Sequence, residues 1–88
     1  MEKRLGFVGI MIHNRKQVAA AVNKILSEQG GIIIARMGLP YDKKKCSVIT
    51  LIIDATTDEL GVLTGKLGQI KGISVKSALE KNIRTEEN

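Results

Sequence analysis

The chain contains one imidazole, His13, and one thiol, Cys46. A cysteine and a histidine within hydrogen-bond reach make a nucleophile and its base. That chemistry also needs a group to orient the histidine and donors for an oxyanion, and neither is visible in the sequence. The reading is therefore a histidine at the solvent edge and a half-buried thiol behaving as a small hydrophobe. One histidine and one cysteine are too few soft ligands for an ordinary zinc or nickel site. A single thiol excludes an internal disulfide and any CxxC motif. No catalytic residue, metal or cofactor is expected.

The other side chains with chemistry to offer are basic. His13-Asn14-Arg15-Lys16 forms one polar run, and Asp42-Lys43-Lys44-Lys45 forms another. His13, Asn14, Arg15, Lys43 and Lys44 are the candidate ligand-binding residues, because clustered cations and helix N-terminal amides both favour anions. Across 88 residues, 14 Lys and Arg stand against 9 Asp and Glu, a formal charge of +5. That excess permits an anionic ligand or a nucleic acid without requiring either. The aromatics are Phe7 and Tyr41, one of them expected in the core, which leaves little for stacking bases on a sheet. Direct DNA or RNA binding would have to use the lysine hairpin, which lacks base-reading groups.

Six elements must position these residues. Arg4 to Ile12 is a first strand, stopped by the polar run. Asn14 is placed to cap a helix whose apolar stripe is Val18, Ala21, Val22, Ile25 and Leu26. Gly30-Gly31 is expected to end that helix in a left-handed conformation. Ile32 to Leu39 is a second strand, Pro40 to Lys45 a turn, and Cys46 to Asp54 a third strand. Thr57 is expected to cap a second helix, with Asp58 and Glu59 at its positive dipole end and Leu60, Leu63, Leu67 and Ile70 as its stripe. Gly61, Gly65 and Gly68 share one side of this helix, which predicts close approach of another backbone. Gly72 closes it. Ile73 to Leu79 is a fourth strand, and residues 81–88 are a charged tail expected to fray.

The order β-α-β-β-α-β predicts an α+β, ferredoxin-like fold: a four-stranded antiparallel sheet, strand order 4-1-3-2, with both helices on one face. Residues 1–80 form the domain. An 88-residue chain buries only about 60–65% of its extended surface, so its own core is marginal. Two helices cover one sheet face, yet strands 1, 2 and 3 carry apolar residues on both faces. That predicts a homo-oligomer, a dimer or a tetramer, and Ile33, Ile49, Leu51 and Ile53 are its candidate interface residues. No apolar stretch approaches the ~20 residues of a membrane span, and no cleavage site follows the basic start. A cytoplasmic protein without membrane contact is expected.

Longer runs carry a resemblance. Arg36-Met-Gly-Leu-Pro-Tyr41, Ser47-Val-Ile-Thr-Leu-Ile-Ile-Asp54, Thr56-Thr-Asp-Glu-Leu60 and Leu63-Thr-Gly-Lys-Leu-Gly68 resemble the iron-only hydrogenase system regulators. The opening Glu2 to Phe7 and the ending Gly72 to Ala78 fit as well, so the resemblance spans about residues 2–80. It implies an ACT-like regulatory domain, non-catalytic, dimeric or tetrameric, that binds a small ligand or a protein partner. The loop His13-Asn14-Arg15-Lys16 lacks the acidic residue and glycine usual in amino-acid-binding ACT domains, so that ligand class is not implied.

Overall fold

A computed structural model describes residues 2–13 and 15–81, without the side chains of Arg15 and Lys16. Asn14 and its capping role, and all of the tail beyond Lys81, lie outside the described residues.

Alternating and β-branched runs form four strands: β1 (Arg4–Ile12), β2 (Ile33–Tyr41), β3 (Cys46–Ala55) and β4 (Ile73–Leu79). Every pairing is antiparallel, and the order is β2-β3-β1-β4, as the element order and the handedness of crossovers predict. α1 (Arg15–Glu28) and α2 (Thr57–Gly68) pack on one face. The core between the layers holds Val8, Ile10 and Ile12 of β1, Ile49, Leu51, Ile53 and Ala55 of β3, Val18, Val22 and Leu26 of α1, and Leu63 and Leu67 of α2. Ile73, Val75 and Leu79 of β4 pack against it from the edge. Each fully buried aliphatic side chain contributes about 1.5–3 kcal/mol relative to an exposed one. The α1 stripe is centred on Val18, Val22 and Leu26, and Ala21 is exposed.

Several local expectations are corrected. The cap of α2 is Thr56, not Thr57. Its hydroxyl accepts from the Glu59 amide at 3.0 Å, and the Glu59 carboxylate accepts from the Thr56 amide at 2.8 Å, a reciprocal capping box. Gly30 and Gly31 do not take left-handed angles. They continue from α1 into a 3-10 turn, Gly30–Ile32, which carries Ile32 into the core. Gly72 is the glycine with positive φ, at 90°. Its carbonyl accepts from the His13 amide at 2.9 Å, so the turn before β4 is tied to the end of β1. β2 starts one residue later than expected and runs through Pro40 to Tyr41, which an edge strand tolerates because a proline nitrogen can face solvent. The run of three isoleucines is not a strand buried on both faces: Ile32 is core, Ile33 is half-buried against the core, and Ile34 sits at a register shift and is 59% exposed.

The glycines of α2 do not serve the packing expected of them within this chain. Gly61, Gly65 and Gly68 are exposed, and a Cβ at any of them meets nothing within 4 Å. Gly6 is the glycine that close approach requires: a Cβ there would lie 2.3 Å from the Ala78 carbonyl oxygen, where β4 crosses β1.

The interface assignment is corrected too. Ile49, Leu51 and Ile53 lie in the core beneath the helices, and Ile33 packs against them. They cannot belong to the helix-free face, because strand alternation sends the even-numbered residues of β3 there instead.

Candidate functional site

Cross-strand partners share a face, so the register maps the helix-free side of the sheet. One rung reads Ala35, Ile52, Phe7, Ala78 across β2, β3, β1 and β4. The next reads Met37, Thr50, Gly9, Lys76, and the third Leu39, Val48, Met11, Ser74. Leu5 lies beyond the first rung, opposite Asp54, and Tyr41 lies beyond the third, opposite Cys46. Leu5 and Phe7 are each 52% exposed, Met37 68%, Leu39 55%, and Met11, Ile52 and Tyr41 between 41% and 43%. Apart from Thr50, Ser74 and Lys76, these three rungs are apolar or glycine. Contiguous apolar surface of this extent is unusual on a lone subunit.

The sequence anticipated such a face but assigned it the wrong half of β3. The residues its interface set omits are Leu5, Phe7, Met11, Met37, Leu39 and Ile52, although the sequence left Ile52 and Ile49 as alternatives for the position that faces away from the helices. A signal was available. On β4, apolar Val75 alternates with polar Ser74 and Lys76, so Val75 marks the helix side. It pairs with Ile10, and Ile10 pairs with Ile49. The odd residues of β3 therefore follow the helices and the even residues do not.

Phe7 and Tyr41, one of which the sequence places in the core, are both on the open face. They lie on different strands, and their β3 partners Ile52 and Cys46 are six residues apart, about 20 Å at strand spacing. Two aromatics at that separation do not make a base-stacking platform.

An open cleft of ≈ 320 Å³ lies at one end of this face, lined by Leu5, Gly6, Phe7, Ala78, Leu79 and Glu80. Its walls are largely apolar. The Glu80 amide donates to the Leu5 carbonyl at 2.7 Å and extends the β1–β4 ladder one step past Leu79.

Of the predicted ligand residues, His13, Lys43 and Lys44 lie at the other end, and Asn14 is outside the described residues. β1 ends with Ile12 opposite Ser47 and Ile73, and the β2–β3 hairpin turns just past Tyr41 and Cys46. His13, the hairpin tip, Lys71 and the first residue of α1 thus occupy one end of the sheet. The hairpin is tighter than the sequence suggests. Asp42–Lys44 is a single 3-10 turn, and Lys45 closes it in the left-handed region at φ 55°, its amide donating to the Asp42 carbonyl at 3.2 Å. Lys43, Lys44, Lys45 and Lys71 are all exposed, as is His13. The ion pairs Lys3–Glu59 at 3.6 Å and Lys66–Glu28 at 3.8 Å lie elsewhere. Cys46 is buried, one rung beyond the Ile12–Ser47 pair, and therefore adjoins the position of His13. Among the described residues no cluster of three or more His, Cys, Asp or Glu is placed to hold a metal ion. Among the same residues, no helix is long and apolar enough to cross a membrane.

At the far end, the Thr56 amide holds the Glu59 carboxyl below its ordinary value of 4.5, with a smaller contribution from the Lys3 ammonium, against a partial desolvation that raises it. With Asp54, Asp58 and Glu80 also at that end, charge is polarised along the strands.

This βαββαβ sheet, with two helices on one face and an apolar opposite face, is the ACT-like, ferredoxin-type class of small domain. The ACT domain of GTP pyrophosphokinase from Chlorobium tepidum superposes with a TM-score of 0.71 at 19% identity, over 86% of this chain and 99% of that one. CPII from Thiomonas intermedia K12, a nitrogen regulatory PII-like protein in its apo form, gives 0.53 at 10% identity, over 86% and 90%. At those identities the likeness concerns the fold alone. The uncharacterized protein TM1266 from Thermotoga maritima is nearer: TM-score 0.87, 34% identity, 91% of this chain and 100% of that one. The TM1266-like family model, described as "Iron-only hydrogenase system regulator, putative", matches residues 4–77. The chain belongs to this family. No curated protein matches it.

Proposed function

We propose that this chain is a non-catalytic regulatory module of the iron-only hydrogenase system that self-associates through the helix-free face and receives an anionic ligand, or an acidic segment of a partner, at its basic end. The helix-free face carries the reading. Leu5, Phe7, Met11, Met37, Leu39 and Ile52 are each more than two-fifths exposed on one surface that no element among the described residues covers. Its projected area is roughly 500 Å² per copy from strand spacing and rise. Two copies together bury about 1,000 Å², the size at which specific interfaces begin. A dimer is the simplest assembly, and a tetramer is compatible with the same face.

At the basic end, Lys43 and Lys44 on the hairpin and His13 after β1 are the proposed contacts, with Asn14 and Arg15 adjoining by sequence. A regulator needs a surface that reports binding to its partner subunit. This end lies on the same strands as the proposed interface, so occupancy at Lys43, Lys44 and His13 bears directly on β1 and β3.

Native mass spectrometry of the purified chain tests both halves. The expected spectrum shows a dimer or tetramer that retains an anionic compound, lost in Lys43→Glu/Lys44→Glu. A lone subunit with nothing bound contradicts the reading. Three consecutive exposed lysines at a hairpin tip also favour a second reading, nucleic-acid binding through that tip. It predicts an affinity for RNA or DNA that falls steeply with salt, and the absence of such binding eliminates it.

A further inference from the structure

The distribution of side chains on the helix-free face is lopsided in two directions, and together they fix how a second copy can lie on it. Across the strands, the β2, β3 and β1 columns are apolar or glycine apart from Thr50, whereas the β4 column carries Ser74 and Lys76. Along the strands, Lys43, Lys44, Lys45 and Lys71 sit at one end with Asp42, and Asp54, Glu59 and Glu80 sit at the other with Lys3, Arg4 and Lys81, so the hairpin end is the more positive.

Two copies packed face to face are related by a two-fold axis lying in the interface. If the axis ran along the strands, β2 of one copy would cover β4 of the other. Ser74 and Lys76 would then lie over Leu39 and Met37 of the partner subunit, setting polar side chains on apolar ones at both edges. Both lysine hairpins would also share one pole. If the axis runs across the strands, each column covers itself. The apolar columns meet apolar columns, the two copies of Lys76 meet at the rim where their long stems can diverge into solvent, and the lysine hairpins lie at opposite poles, each over the less basic end of the other copy.

Resting on the self-association proposed above, we infer that the second copy docks with its strands reversed, about an axis through the rung that contains Thr50 and Gly9. Gly9 suits that position. A Cβ there meets nothing closer than the Lys76 carbonyl at 3.9 Å, so the centre of the face is a shallow notch bordered by Phe7 and Met11. Reversal about this rung lays Phe7 over Met11 of the partner subunit, and Leu5 over His13 of the partner subunit. The cleft at Leu5, Phe7 and Glu80 is thereby closed by the basic end of the other copy. The dimer holds two composite sites at opposite poles, each combining cations from one copy with apolar walls and a carboxylate from the other. Such a site fits a ligand that bears an anionic group beside an apolar body.

Thiol cross-linking tests the orientation. In a Cys46→Ser background, Phe7→Cys protein is mixed with Met11→Cys protein and treated with a bismaleimide of about 10 Å reach, the spacing of facing sheets. The reversed arrangement gives a covalent dimer in the mixture and little in either variant alone. An axis along the strands instead lays Phe7 over Ile52 of the partner subunit. Product from Phe7→Cys with Ile52→Cys, and none from Phe7→Cys with Met11→Cys, in protein that still sediments as a dimer, overturns the orientation and leaves self-association standing. A lone subunit for the Cys46→Ser protein and every variant overturns both. All three cross-linking positions are exposed in the single chain, so the substitutions leave its core intact.

Discussion

Thr56 and Gly6 show how single residues hold the frame in place. The Thr56 hydroxyl and the Glu59 carboxylate each satisfy an amide that the first turn of α2 would otherwise leave without an intrahelical partner. Thr56→Ala is expected to cost about 1 kcal/mol in denaturant unfolding at neutral pH. The same pair sets a pH dependence. Because the folded state lowers the Glu59 pKa, its contribution is present above the unfolded value and fades as pH falls through the folded one. Wild type should therefore lose stability on acidification below pH 4.5, and Glu59→Gln, which removes the titrating carboxyl, should lose less over the same interval. Equal losses in the two proteins would remove this role. At Gly6, any side chain meets the backbone of Ala78 and Leu79 as well as the Leu79 side chain, and the backbone atoms cannot yield as a side chain can. Gly6→Ala should lower the melting temperature and loosen β4, read as faster amide exchange at residues 73–79. An unchanged exchange pattern would show that β4 can shift to make room.

Among the elements, the strands were the most legible. β1 and β4 begin and end where polar runs and glycine place them, and the order of strands follows from crossover handedness. Helix stripes were legible as well, since Val18, Val22, Leu26, Leu63 and Leu67 are core. What the sequence obscured was the face of each strand. β3 reads Val48-Ile49-Thr50-Leu51-Ile52-Ile53, in which even and odd positions are both apolar, and alternation cannot choose between two apolar faces. The choice is made two strands away, by Val75 against Ser74 and Lys76. The basic end was legible from topology alone, because connections at the same end of a sheet converge whatever their sequence. The turn conformations were not, since Gly30 and Gly31 allow left-handed angles without demanding them. The glycines of α2 yield a prediction of their own. With open space at all three, Gly61→Ala, Gly65→Ala and Gly68→Ala should each stabilise the isolated fold by up to about 1 kcal/mol. A loss of stability, or a change of assembly, would mean that another chain packs closely there.

For the whole molecule, the decisive quantity is the balance between a small core and a large uncovered face. The helices bury one side of the sheet well, and the other side presents Phe7, Met11, Ile52 and the β2 residues to water. The proposed self-association would remove that surface and set the basic end against a second copy. Ile52 lies on the helix-free face and is 42% exposed, so Ile52→Glu should leave the fold intact by circular dichroism while separating the copies. Leu51→Ala, one residue earlier but beneath the helices, should instead lose about 2–5 kcal/mol of folding stability. The contrast between these neighbours separates a surface effect from a core effect. The most direct measurement is sedimentation equilibrium of wild type and Ile52→Glu at micromolar concentration. The expected result is a dimer or tetramer for the wild type and a folded single chain for the variant. A wild type that sediments as one 88-residue chain would contradict the account.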